Sequence, residues 1–188
     1  MIRGIVSDFI TTFRKFLYFF HSNNGHINGS YKCYQPVVLR GQGQIHFGKK
    51  VCFGILNSPF RHTSYAYIEA RQKNSSIVFG DNINVNNGFT AISEFCILIK
   101  DNVLIGFNCT ITDSNFHDLR IGNRHLTDPN PKKVIIEKNV FIGNNVTILK
   151  GVTIGENSVV AAGSVVTKSC PENVIIGGCP AKIINNLV

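Results

Sequence analysis

The sequence predicts an all-β fold, a left-handed parallel β-helix of hexapeptide repeats, with a short N-terminal helix and one inserted loop. Two observations predict it. From Ile136 an aliphatic residue recurs at every sixth position: Ile136, Ile142, Ile148, Ile154, Val160 and Val166. Four places after each comes a small or β-branched residue, Val140, Val146, Val152, Ser158, Ser164 and then Cys170. A period of six fits neither a 3.6-residue helix nor the two-residue alternation of a simple strand. It fits a triangular coil, with one short strand and one corner per six residues and three faces per turn.

The same register runs upstream. Ile99, Ile105 and Ile111 carry it with Val103 and Cys109, and Phe79, Val85 and Ala91 carry it with Ile83, Phe89 and Phe95. Phe47-Gly48 and Phe53-Gly54 form a degenerate beginning. The register breaks between Phe53 and Phe79, by two extra residues between Ala91 and Ile99, and by a long insertion between Ile111 and Ile136. Corners rich in Gly, Asn and Asp (Gly80-Asp81-Asn82, Gly143-Asn144-Asn145, Gly155-Glu156-Asn157) suit backbone angles that other residues resist. One coil cannot bury its own interior, so stability comes from stacking on neighbours. The expected division is a helical arm over 1–30, the β-helix over 31–184 with its inserted loop at 114–133, and a tail over 185–188.

At 188 residues the chain suits one domain with a substantial core. Hydrophobic residues make up 44% and charged residues 16%, which excludes a disordered chain. The net charge of +8 implies an anionic partner, and the basic residues are scattered singly or in pairs. A nucleic-acid stripe would cluster them, so a phosphate-bearing small molecule is expected and nucleic acid is not. Six cysteines stand without a CxxC pair or a zinc-finger histidine spacing, and read as reduced thiols of a cytoplasmic protein. The segment Phe13–Phe20 is too short to span a bilayer, and no small-residue cleavage site follows it. Ile5, Phe9, Phe13, Phe16 and Phe20 recur at helical spacing. The expected helix packs on its own domain or on a neighbouring subunit; a peripheral membrane contact beside Arg14 and Lys15 is the alternative.

The segment Ile142–Lys168 and the ending Ile176-Gly-Gly-Cys-Pro-Ala-Lys-Ile-Ile184 resemble the hexapeptide-repeat acyltransferases, in particular the branch that acetylates sugar and polysaccharide hydroxyls. The resemblance covers roughly residues 77–184. It implies acetyl-CoA as co-substrate, no metal, a saccharide acceptor, and a homotrimer with its site between neighbouring prisms. Asp113-Ser-Asn-Phe-His117 looks like the start of the family's catalytic loop. His117 is then the general base, an imidazole titrating near neutrality being suited to deprotonating a hydroxyl. His125, in the same loop, is the competing histidine. Asp113 either orients the imidazole, touches the acceptor or serves as a turn residue. Asn86 and Glu94, with Asn87 adjacent, fall where the family meets its acceptor. Phe141, Gly143, Asn144 and Ala162 fall on the path of the pantetheine arm, and Thr167, Lys168 and Lys182 near the nucleotide phosphates. Asn185-Asn186 follow where some relatives carry arginine.

Three functions compete at this level. The first is O-acetyl transfer to a saccharide in surface polysaccharide assembly. The second is N-acetyl transfer to a nucleotide-linked amino sugar, for which no room for an extra nucleotide-binding domain is visible. The third is a non-catalytic β-helix scaffold or a carbonic-anhydrase-like zinc protein. The latter needs three histidines on adjacent coils, whereas His117 and His125 alone lie near the regular repeats.

Overall fold

The computed structural model describes residues 2–188, with side chains from Asp8 onward. It is a parallel β-helix preceded by a single helix, α1 (Ile2–Phe19). Three sheets form the faces of a triangular prism. The first face stacks Ile27–Asn28, Gln44–Phe47, Ser76–Phe79, Cys96–Ile99, Val134–Ile136 and Thr153–Ile154. The second stacks Tyr31–Cys33, Val51–Phe53, Asn84–Val85, Leu104–Ile105, Phe141–Ile142, Val159–Val160 and Val174–Gly178. On the third lie Val37–Gly41, Ala66–Ala70, Thr90–Ser93, Thr110–Thr112, Thr147–Ile148 and Val165–Val166. All these neighbours pair in parallel, whereas Ala181–Asn186 turns back antiparallel on Val174–Gly178.

The six-residue period becomes vertical columns in register. Phe47, Phe79, Ile99, Ile136 and Ile154 stand one above another on the first face. Phe53, Val85, Ile105, Ile142 and Val160 do so on the second, and Ile68, Ala91, Ile111, Ile148 and Val166 on the third. These columns are buried and form one continuous core. In the early coils aromatics fill the prism: Phe47 stacks on Phe79 with centroids 5.3 Å apart, and Phe53 and Phe89 close around them.

Corners are set by backbone chemistry. Asn82, Asn102, Asn139, Asn157 and Asn173 stand in one column at the corner between the first and second faces, all with φ of 57° to 60°. Asparagine tolerates this left-handed region better than other residues with a Cβ. Its side chain also bonds along the column, Asn139 to Asn157 at 2.9 Å and Asn157 to Asn173 at 2.8 Å.

Several expectations change. Phe95 is 48% exposed and takes no part in the wall. The two extra residues form a wider corner after Thr90–Ser93, so Ile97 and Ile99 fill the interior instead. The gap between Phe53 and Phe79 is an insertion followed by a full strand, Ala66–Ala70. Coil structure starts at Ile27, before residue 31, and strand structure runs on to Asn186, past residue 184.

Helix α1 differs most. The side chain of Ile5 lies outside the described residues. Of the other face residues, Phe9, Phe13, Phe16 and Phe20 are all more than half exposed, so this face does not pack on its own domain. The opposite side docks instead. The Arg14 guanidinium donates to the carbonyls of Arg61 and Ser64 at 3.2 and 2.9 Å, Asp8 pairs with Arg61, and Tyr18 rests 5.0 Å from Tyr65. The polar side wins because the insertion at Gly54–Tyr65 presents carbonyls that need donors.

Truncating the aromatic core tests the columns. Phe79→Ala leaves a cavity between Phe47, Phe53 and Phe89, and is expected to cost about 3–5 kcal/mol of unfolding free energy in a denaturant titration.

Candidate active site

The inserted loop leaves the third face after Thr112 and re-enters the first face at Val134, so it sits on one edge of the prism. Its base is built from buried carboxylates. Asp113 is fully buried and accepts from Ser93 Oγ at 2.6 Å, from the Glu94 N–H at 2.8 Å and from the Phe95 N–H at 3.0 Å. Its oxygens thus tie the loop to the preceding coil, and none of these bonds goes to His117. Glu94 is also buried: Ser114 Oγ donates to Oε2, Thr127 Oγ1 donates to Oε1 at 2.9 Å, and Arg71 approaches at 3.9 Å.

Asp128 anchors the far side. It accepts from the Asn115 N–H at 2.8 Å and from Lys150 Nζ at 2.5 Å. Burial acts to raise its pKa, but the donors Asn115, Lys150 and Asn130 outweigh that and hold it below the ordinary carboxylate value. At the loop's tip Asp118 is clasped by the Arg120 side chain, chiefly through its hydrogen bonds, and its pKa falls to about 2. The Asp118 N–H donates to the Leu126 carbonyl at 3.0 Å, closing the tip on itself.

His117 rides on this closed tip, exposed, with Nδ1 2.8 Å from the Arg124 carbonyl oxygen. A carbonyl only accepts, so Nδ1 carries the proton of the neutral ring and Nε2 keeps its lone pair. The preceding residue, Phe116, has φ of 61°, a conformation a bulky residue adopts only when its surroundings impose it. Here the Arg71 guanidinium lies 4.6 Å over the Phe116 ring. His125 is exposed in the same loop, beside Ile121, Gly122 and Arg124.

The other candidates divide between two edges. Asn86, Phe141 and Asn144 line one cleft of about 280 Å³ at the corner between the second and third faces, together with Ile55, Leu104 and Gly106. Gly143 sits at the same corner, where a Cβ would come within 2.7 Å of the Ala162 nitrogen. Ala162 is exposed above it, and the space over Gly163 is open. Gly143 itself is buried beneath the Ala162 backbone, so its missing Cβ serves the close stacking of coils, and Gly163 is the glycine that borders open space. Thr167 and Lys168, both exposed, follow Val166 and therefore lie on the edge that carries the loop. Lys182 is exposed on the returning strand Ala181–Asn186. Asn87 is turned inward: it bonds the carbonyls of Ile55, Ser58 and Pro59 and pins the insertion over this corner. Sequence reasoning missed Arg71, Ser114, Thr127, Asp128 and Lys150, which build the loop's foundation. Their signal is partnership across 13 to 33 positions, which no local spacing reveals. Among the described residues, no three His, Cys, Asp or Glu side chains gather closely enough to hold a metal ion.

Parallel coils, the hexapeptide columns and the histidine loop together define a class, and comparison with known proteins agrees. The chain belongs to the hexapeptide-repeat acetyltransferase family. The hexapeptide repeat of succinyl-transferase matches residues 133–168. A galactoside O-acetyltransferase of Lactococcus lactis subsp. lactis (strain IL1403) is 39% identical over 149 residues, covering 79% of this chain and 70% of that protein. The galactoside O-acetyltransferase of Escherichia coli (strain K12) is 39% identical over 116 residues, 60% of this chain but only 55% of the relative's length. Among solved structures, a galactoside acetyltransferase in complex with coenzyme A superposes with a TM-score of 0.52 at 27% identity, covering all (100%) of this chain and 80% of that one.

The clasped carboxylates make the loop acid-sensitive. The folded pKa values of Asp118 and Asp128 lie below the ordinary carboxylate value of about 3.9, so their stabilisation is complete above that pH and is lost as pH falls toward the folded values. The protection of the 114–133 amides against hydrogen exchange, taken relative to the intrinsic rate at each pH, is expected to be high at neutral pH and to fall, with exchange quickening on that scale, between about pH 4 and 2. Arg120→Gln should move that quickening to higher pH. Lys150→Met should weaken the loop's closure by about 1.5–3 kcal/mol, the worth of a hydrogen bond to a charged group.

Proposed function

We propose that the chain transfers an acetyl group from acetyl-CoA to a saccharide hydroxyl, in the assembly of a surface polysaccharide, with His117 as general base. The observation that carries this reading is the bond from Nδ1 to the Arg124 carbonyl, which leaves Nε2 outward as the proton acceptor. Acetyl-CoA, when bound, supplies a thioester whose C–S bond breaks as the new ester C–O bond forms. His117 Nε2 takes the proton of the attacking hydroxyl and returns it to the departing thiolate. Asp113 and Glu94, buried and engaged at the loop's base, act by holding the loop, Asp113 rather than orienting the imidazole and Glu94 rather than meeting the acceptor. Phe116 sets the approach of the imidazole.

Kinship supports the donor and the acceptor class. The curated relatives named above are galactoside O-acetyltransferases, and an E. coli (strain K12) protein named for lipopolysaccharide biosynthesis O-acetyl transfer is 33% identical over 158 residues, 75% of its length. A hexapeptide-repeat acetyltransferase of Vibrio cholerae O1 biovar eltor, 26% identical with a TM-score of 0.50, is complexed with acetyl coenzyme A. Phe141, Asn144 and Ala162 are assigned to the pantetheine arm, Thr167, Lys168 and Lys182 to the phosphates, and Asn86 to the acceptor. The base and the corner assigned to the pantetheine arm occupy different edges of one prism. A homotrimer joins them, one copy's loop facing the next copy's corner, as a closed ring of unlike patches allows.

We place the protein in the cytoplasm, at the membrane surface. No helix among the described residues is long and apolar enough to cross a membrane. The outward row of Phe9, Phe13, Phe16 and Phe20 supports a helix lying in the interface. Arg14 and Lys15 are engaged with the body of the protein, so this contact is apolar rather than electrostatic. The chain should therefore co-sediment with uncharged phosphatidylcholine vesicles, and Phe13→Asp with Phe16→Asp should release it. Failure of the unaltered protein to sediment would remove the membrane reading.

The transferase reading is tested by thiol release from acetyl-CoA with a panel of sugars and of nucleotide-linked amino sugars. Ester formation on a sugar is the expected result, and amide formation would favour the N-acetyl alternative. His117→Ala should lower kcat/KM by about 10²–10⁴-fold while CoA binding by calorimetry is kept. Full activity in that variant refutes the base, and absence of both CoA binding and transfer in the unaltered protein leaves the scaffold reading.

A further inference from the structure

Two clefts adjoin on the third face, the first of them extending onto the corner shared with the second face through Gly88 and Asn108. The first, of about 450 Å³, is lined by Thr63, Ser64, Tyr65, Tyr67, Thr90 and Asn108 among others. The second, of about 270 Å³, is lined by Tyr18, His21, Val38, Arg40, Tyr65 and Tyr67. They share Tyr65 and Tyr67, so together they make one trough floored by phenol rings. Helix α1 forms its wall: Tyr18 packs 5.0 Å from Tyr65, which lies 6.4 Å from Tyr67.

The trough points at the loop. Tyr67 and Glu69 face outward from the strand Ala66–Ala70, whose inward positions are Ala66, Ile68 and Ala70. Arg71 follows on the same line and reaches Phe116, the neighbour of His117. At about 3.3 Å per residue, Tyr67 stands about 13 Å from Arg71 along the strand. A short oligosaccharide has that reach. Tyr67 Oη donates to Glu69 Oε2 at 3.1 Å, and the Arg71 side chain holds both oxygens of the same carboxylate. Glu69 is therefore fully engaged. Arg40 stands opposite Glu69 in register on the next strand, yet makes no ion pair among the described residues. It is a half-buried guanidinium left facing a trough of aromatic rings, and its planar fork matches an anion held on a ring.

We propose that this trough, with Tyr18, Tyr65 and Tyr67 as stacking surfaces and Arg40 as the charge, is a subsite for an acidic sugar unit of a polymeric acceptor, several units removed from the one acetylated. The proposal rests on the saccharide-acceptor reading above. The aromatic rings take the apolar faces of the sugar rings, and Arg40 takes the acidic group. The enzyme would then act on a chain, and recognise it by length and charge.

The test uses the full chain and two probe series of one to four units: galacturonic acid and its oligomers, and neutral galactose oligomers of equal length. Binding is read by saturation-transfer NMR, and turnover separately by thiol release from acetyl-CoA. The tetragalacturonate is expected to bind at least about tenfold tighter than the monomer. Arg40→Gln should abolish the advantage of the acidic series over the neutral one. Tyr65→Ala should weaken the longer oligomers of both series, with thermal midpoints confirming that each variant is folded. Binding that does not grow with length, or that both folded variants retain unchanged, overturns the subsite, and equal binding of the two series overturns its acidic specificity. Length-dependent binding that needs Arg40 and Tyr65, in a protein that neither binds CoA nor releases thiol with any acceptor, leaves the subsite standing and refutes the transferase reading instead.

Discussion

Strands of two or three residues are too short to hold themselves, and everything in this molecule depends on how that weakness is met. Each inner strand is hydrogen-bonded above and below by a neighbouring coil's strand, and its inward side chain rests on an equivalent one. Ile142 has Ile105 beneath it and Val160 above, and none of the three is satisfied without the others. Stability is therefore a property of the stack rather than of any element. The rigidity this confers is what lets a loop be inserted at one edge without disturbing the faces.

The loop shows the opposite economy. It has no column to lean on, so its order comes from polar bonds: Asp113 and Glu94 below, Asp128 and Lys150 at the side, Asp118 and Arg120 at the tip. Each buried carboxylate is matched by several donors, which is what burial of a charge demands. The imidazole is exposed at the end of this scaffold, aimed by a backbone carbonyl and by a phenylalanine held in an uncommon conformation. A reactive group presented this way needs little rearrangement to meet a partner arriving from outside.

Legibility in the sequence follows the same division. Ile136 to Val166 could be read directly, because a six-residue period has one geometric meaning. The coils from Ile27 to Phe53 were obscure, since aromatic side chains of varied size fill the prism there and insertions break the count. Phe95 misled because spacing continued through a corner where the backbone had widened. The outward face of α1 was visible as periodicity, but its direction was not: periodicity reports that a face exists and cannot say which side the protein uses. His117 stood out through its loop motif. The foundation beneath it, joining Asp128 to Lys150 and Arg71 to Phe116, spans the fold and left no trace in local pattern.

The antiparallel return of Ala181–Asn186 has a consequence for the molecule's neighbours. A stack of parallel coils is open at each end, and an exposed parallel edge is a template on which another copy's coil could continue indefinitely. Reversal of the last strand on the second face presents the wrong polarity for such continuation. On that face the returning strand covers the parallel edge of Val174–Gly178.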